Sequence, residues 1–163
     1  MSHAIPERPA PSPTAANITI VASRYNERYT NALVDHCSQE LGLILPNVQV
    51  DVIRVPGAFE IPVPVKAVAT QTTPRPTVII ALGVIIQGST EHASLVGTSV
   101  TNALLGIAVE TQIPVIHEVL LLNDEQQAYD RCIAPGLNRG QESARAAASM
   151  VDLFASRFTA SQH

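Results

Sequence analysis

Lysine is almost absent: Lys66 is the only one in 163 residues, and Lys and Arg together number 10 against 14 Asp and Glu. A formal net charge of -4 without any basic cluster argues against nucleic acid as a partner, because proteins that bind a phosphate backbone concentrate cations on one face. Charged residues of both signs reach only 15%, against roughly one quarter in ordinary soluble domains, while hydrophobic residues make up 46%. No stretch attains the ~18 consecutive apolar residues that cross a membrane, so other subunits are the more economical cover for the excess apolar surface. Composition therefore predicts a homo-oligomer, with neither membrane nor nucleic acid as partner. Cysteine is scarce too. Cys37 and Cys132 stand apart, without the close pairing of a zinc ribbon or redox motif, and read as free thiols of a reducing, cytoplasmic setting. Asp51, Asp124 and Asp130 lack a metal-binding spacing, so no metal is expected.

What is present is alternation. Met1 to Ala16 holds four prolines and neither the charged nor the apolar block of a signal peptide. It is expected to be a flexible or extended arm (residues 1–16) before one domain at 17–158 and a tail at 159–163. The apolar run from Ile18 to Ala22 predicts a first strand. Tyr29, Leu33, Cys37 and Leu41 recur on one helical face, predicting a helix from about Asn26 to Gly42. Val48 to Val55 alternates as a second strand. Pro56-Gly57-Ala58-Phe59-Glu60-Ile61-Pro62 forces a turn before a short helix at about Val63 to Thr70. Thr77 to Val84 is almost continuously apolar, as a central parallel strand covered on both faces must be.

A helix from His92 to Gln112 follows, with Val96, Val100, Ala103, Leu104, Ile107 and Ala108 on one stripe. Then come a strand at Val115 to Leu122 and a helix at Glu125 to Cys132 capped by Asn123-Asp124. A last helix is capped by Asn138, with Ala144, Ala147, Ala148, Val151, Phe154, Ala155 and Phe158 facing inward. Four β-α units imply a four-stranded parallel sheet with helices on both faces, and ligands bind such sheets beyond the carboxyl ends of the strands. Those ends are Ser23 to Asn26, Pro56 to Glu60, Ile85 to His92 and Leu121 to Asn123.

The residues at these ends suit small-molecule chemistry. Gly88, Ser89 and Thr90 precede a helix N-terminus, where free amides and the positive end of the dipole suit a phosphate, although capping explains them equally well. Glu91 would repel such a phosphate and is expected to point away. His92 can move protons near neutral pH, or simply make a local hydrogen bond at the helix start. Gly57 allows close backbone approach within what is otherwise a tight turn.

Ser23-Arg24-Tyr25-Asn26, PGAFEIP at 56–62, ALGVIIQGSTEH at 81–92 and Asn138-Arg139-Gly140, in this order and at these intervals, resemble the lumazine synthase family across nearly all of Asn17 to Met150. The resemblance implies a flavodoxin-like three-layer α/β/α sandwich, assembled into homopentamers with active sites between neighbouring subunits and no cofactor. It also implies a reaction, the condensation of a ribitylamino-pyrimidine with a four-carbon keto-phosphate. His92 then matches the catalytic histidine and Arg131 the phosphate-binding arginine. Tyr25 would stack on the pyrimidine beside Asn26, and Ala58, Phe59 and Glu60 would meet the ribityl hydroxyls. Ile85 and Ile86 would hold the ring's carbonyl edge through backbone amides. Arg139 stands where a lysine is common, and His117 where a phenylalanine covers the ligand from the next subunit. With Gln87 and Glu91 also departing from common choices, a non-catalytic ribityl- or flavin-binding relative, or a shell-forming one, is the alternative reading.

Overall fold

The computed structural model describes residues 5–158; the expected tail at 159–163 and the first four residues of the arm lie outside them. Four strands, β1 (Ala16–Ser23), β2 (Val48–Val55), β3 (Val78–Ile86) and β4 (Val115–Leu122), form one parallel sheet in the order β2-β1-β3-β4. Helices α1 (Glu27–Ile44), α2 (Pro62–Gln71), α3 (His92–Thr111), α4 (Glu125–Cys132) and α5 (Arg139–Arg157) cover it, giving the expected three-layer flavodoxin-like sandwich. A single 3-10 turn at Ala58–Glu60 separates β2 from α2.

The central strands carry the apolar runs because both of their faces are covered. Along β3, Val78, Ile80, Leu82 and Val84 pack with α1, α4 and α5, while Ile79 and Ala81 pack with α2 and α3. Every residue of β3 from Val78 to Val84 is buried. The edge strand β2 instead exposes Gln49 and Asp51, polar side chains that an edge tolerates and that discourage further strand addition.

Several boundaries differ from the sequence expectation. Helix α1 runs past Gly42 to Ile44, because Ile44 and Leu45 are buried and their contacts outweigh the propensity of one exposed glycine. Asn26 lies outside α1 in the left-handed region (φ 58, ψ 46), and its side-chain Nδ2 donates to the Val84 carbonyl at 2.8 Å. In α5, Ala144, Ala147, Ala148 and Val151 are buried, but Ala155 and Phe158 are exposed, correcting their inward assignment. The helical period continues there after the sheet beneath has ended. The expected caps form: Asp124 accepts from the Gln127 N–H at 2.8 Å and Asn138 from the Gln141 N–H at 3.1 Å.

Residues 5–15 have neither helix nor strand and run over α1 and α5. Arg8 grips Glu40 with two bonds of 2.8 Å, and Arg145 Nε reaches the same carboxylate at 2.7 Å. Further along, the Ser12 amide donates to the Ile44 carbonyl at 2.8 Å, and the Ser12 and Thr14 hydroxyls donate to Asp152. Glu40 is 2% exposed, so its charge requires this pairing, and the two guanidiniums hold its carboxyl below the usual range.

Candidate active site

A cavity of about 640 Å³ opens beyond the carboxyl ends of β1, β2 and β3. It draws Tyr25 and Asn26 from the β1 end, and Gly57, Ala58, Phe59 and Glu60 from the β2 end. Ile85, Ile86, Gly88, Thr90 and His92 enter from the β3 end and the start of α3. Three segments separated by tens of residues are thus brought together by parallel topology alone. Ser89 lies exposed beside the cavity without lining it.

Local chemistry fixes each wall. The Tyr25 amide donates to the Pro56 carbonyl at 3.0 Å and the Arg24 amide to the Val55 carbonyl at 2.8 Å, tying the β1 and β2 ends together. Left-handed Asn26 reaches across to β3, so one residue turns the chain and staples the strand end opposite. Glu60 Oε2 accepts from the Gly57 N–H at 2.9 Å, and the residue lines the cavity. A Cβ at Gly57 would stand 2.9 Å from Tyr25 Cδ2 and 2.9 Å from Glu60 Oε2. A β-carbon here would therefore push on the tyrosine ring that lies against the turn, a reason for glycine separate from ligand approach.

The lip is apolar and open: Tyr25 is 71% exposed and Phe59 62%, an unfavourable display for rings unless something covers them. His92 opens α3 and is exposed, its amide 3.4 Å from Thr90 Oγ1. Gln87 Nε2 donates to the Thr90 carbonyl at 3.0 Å and braces this loop. Glu91 stands at the helix boundary, exposed and outside the cavity lining.

Three further expected site residues lie outside the lining of this cavity. Arg131 lies in the last turn of α4, Nη1 3.5 Å from the Gln127 carbonyl, and Arg139 in the first turn of α5 pairs with Glu142. His117 lies on β4 with Nε2 2.9 Å from Thr101 Oγ1. Thr101 Oγ1 also lies 2.8 Å from the Gly97 carbonyl of its own helix. The β4 end likewise misses the main cavity: Val119 and Leu121 line a smaller one of about 290 Å³ with Gly97, Thr98, Thr101 and Asn102.

Sequence reading missed Leu95, Val96 and Ser99, which extend the cavity along α3. They follow His92 at intervals of three, four and seven, a helical face that could have been extrapolated from it. Cys132, adjacent to Arg131, is not an activated thiol, since burial pushes it up to about 12. Among the described residues no group of three or more His, Cys, Asp or Glu side chains could hold a metal ion.

The sequence matches the family model for 6,7-dimethyl-8-ribityllumazine synthase over residues 15–155. It is 38% identical over 142 residues to the 6,7-dimethyl-8-ribityllumazine synthase of Xanthomonas campestris pv. campestris (strain B100), covering 86% of this chain and 91% of that protein. The Xylella fastidiosa (strain M12) protein of the same name is 36% identical with the same coverage. The match spans all four strands and all three walls of the cavity, and the chain belongs to the 6,7-dimethyl-8-ribityllumazine synthase family.

Proposed function

We propose that the protein is the riboflavin-biosynthesis transferase that condenses 5-amino-6-(D-ribitylamino)uracil with 3,4-dihydroxy-2-butanone 4-phosphate, and that each active site is completed by a second copy of the chain. The observation that carries the second part is the charge of the cavity. Its lining contains Glu60 and His92 but no Arg or Lys, although one substrate is a phosphate ester. A phosphate dianion in a partly desolvated site needs cationic partners beyond a helix N-terminus. Arg131 and Arg139, which the family resemblance assigns to the substrates, lie outside this chain's own cavity, as does His117. A neighbouring copy delivers all three in a homopentamer, and the exposed Val63, Leu95, Leu105 and Val109 on α2 and α3 supply apolar area for the contact. Helix α3 is long and apolar enough to cross a membrane by composition alone, but Val100, Leu104 and Ile107 are packed against the sheet.

In this reading Tyr25 is the shelf for the pyrimidine, the backbone amides of Ile85 and Ile86 hold its carbonyl edge, and Glu60 with the 58–60 turn holds the ribityl chain. The amine attacks the ketone and loses water to form an imine, phosphate is eliminated, and the ribitylamine closes the ring with loss of a second water. Each step moves protons but no electrons to or from a redox partner, so the chemistry calls for no cofactor. His92 at the mouth of α3 carries the proton traffic. Orientation of two substrates by shelf and socket contributes most of the acceleration.

The decisive assay follows lumazine formation by absorbance with both substrates. His92→Ala should lower kcat by ~10² to 10⁴, the span of a lost acid/base group, whereas Arg131→Ala should chiefly raise the keto-phosphate KM. Product forming no faster than without protein would leave a ribityl-binding protein instead.

A further inference from the structure

Two arginines that lie outside this chain's cavity bracket one short link: Arg131 is the penultimate residue of α4 and Arg139 the first of α5. The link between the helices is gathered at Asn138, which is 1% exposed. Asn138 Oδ1 accepts from the Gln141 N–H at 3.1 Å as the cap of α5, and this turns its amide nitrogen the other way. That nitrogen lies 2.6 Å from His36 Nδ1 on α1, and 3.4 Å and 3.5 Å from the carbonyls of Cys132 and Ala134. His36 Nδ1 itself stands 3.1 Å from the Cys132 carbonyl. One imidazole from α1 thus meets both ends of the link, the last residue of α4 and the cap of α5. An amide NH2 donates and cannot accept, so in the contact with Asn138 the ring nitrogen is the acceptor and the ring proton sits on Nε2. Gly140 makes the approach possible, since a Cβ there would stand 3.0 Å from His36 Cβ.

We propose that His36 is a positioning residue for the two arginines: by accepting from Asn138 beside the Cys132 carbonyl, it sets the spacing between the end of α4 and the start of α5, and with it the reach of Arg131 and Arg139 toward substrates. This rests on the reading above that both arginines serve an adjoining active site. The contacts the guanidiniums make themselves are local. Arg131 Nη1 is 3.5 Å from the Gln127 carbonyl of its own helix, and Arg139 pairs with Glu142 one turn along. Neither contact relates one helix to the other, whereas the His36 ring does. A displaced cation weakens its charge-assisted bonds to a phosphate, while His92, which opens α3 and lines this chain's own cavity, keeps its place. Substrate binding should therefore suffer more than turnover.

The test compares His36→Leu, which fills similar space without an acceptor, with His36→Asn, whose side-chain oxygen stands near the position of Nδ1 and can accept from Asn138. In His36→Leu the keto-phosphate KM should rise about fivefold with kcat within about twofold of wild type, and His36→Asn should bring KM back to within about twofold. In an Arg131→Ala background His36→Leu should add nothing to that KM. Equal KM values in the Leu and Asn variants, or a Leu effect that persists without Arg131, would overturn the proposal. A ligand-free measurement reads the clamp itself: the Gln141 amide, held by Asn138 Oδ1, should exchange with solvent deuterium faster in His36→Leu than in His36→Asn. Faster exchange with an unchanged KM would overturn the role in binding, and equal exchange would overturn the clamp. An Arg131→Ala enzyme with an unchanged KM would instead strike the reading beneath, and the proposal with it.

Discussion

Replacing Gly57 with alanine should damage substrate recognition while sparing the fold. The added Cβ would stand 2.9 Å from Tyr25 Cδ2, 3.2 Å from Tyr25 Cε2 and 2.9 Å from Glu60 Oε2. Carbon atoms settle at ~3.5 to 4.0 Å, so the ring must retreat by roughly half an ångström or more. It can do so, because Tyr25 is 71% exposed. Backbone strain is no obstacle either, since Gly57 has φ -133, a value any residue adopts. The stability cost should therefore stay below about 1 kcal/mol. The tilted ring, however, forfeits part of the ~1 to 3 kcal/mol that stacking on an aromatic face supplies, which raises the pyrimidine KM by about 5- to 50-fold. Steady-state kinetics at saturating keto-phosphate, paired with thermal unfolding, separates the two effects. In a Tyr25→Ala background the same substitution should matter far less. An unchanged pyrimidine KM, or a loss that persists without the ring, would refute the argument.

Gly140 should behave oppositely. Its Cβ would meet the Leu33 carbonyl oxygen at 2.6 Å and His36 Cβ at 3.0 Å, and a helix backbone cannot swing aside. Gly140→Ala should thus cost about 1 to 3 kcal/mol, lowering Tm by roughly 3 to 10 °C, and a Tm within a degree of wild type would contradict the close α1–α5 approach. Glu118 makes stability fall with pH: its folded-state carboxyl at about 7 stands above the ordinary 4.5, so the folded form holds the extra proton between these values. At ~1.4 kcal/mol per tenfold the full effect approaches about 3 kcal/mol, and partial solvent access reduces it to about 1 to 2. Glu118→Gln should match wild type at pH 4 and melt several degrees higher at pH 8, at equal protein concentration; parallel curves would count against it. Glu40 has the reverse sign, its lowered carboxyl stabilising above the ordinary carboxylate range and losing that contribution on acidification. Arg8→Ala should accordingly lower Tm at pH 7, by an amount that shrinks as acid protonates Glu40, and a difference independent of pH would count against the pairing.

The strands were legible because their burial is two-sided: an uninterrupted VIIALGV can be little else than a central strand, and β4 and α4 occupy the expected residues. Caps were legible because Asp124 and Asn138 act on amides three residues away. What escaped depends on distant geometry. Gly42 announces a stop that buried Ile44 overrides, and Phe158 keeps the helical period after the core has ended. In the site, motif order identified the three walls of the cavity, but no local pattern reveals that Arg131, Arg139 and His117 stand outside it. Glu118 was passed over since a lone glutamate in an edge strand looks solvent-facing, and only the packing of α5 turns it inward.

The arm gives the molecule a closed circuit. Ser12 and Thr14, just before β1, share Asp152 near the end of α5, so the segment that enters the first strand is clasped to the last helix. Because β1 begins there and the cavity opens at the opposite ends of the strands, this clasp stands remote from the substrates, and loosening it should be felt in stability and not in KM.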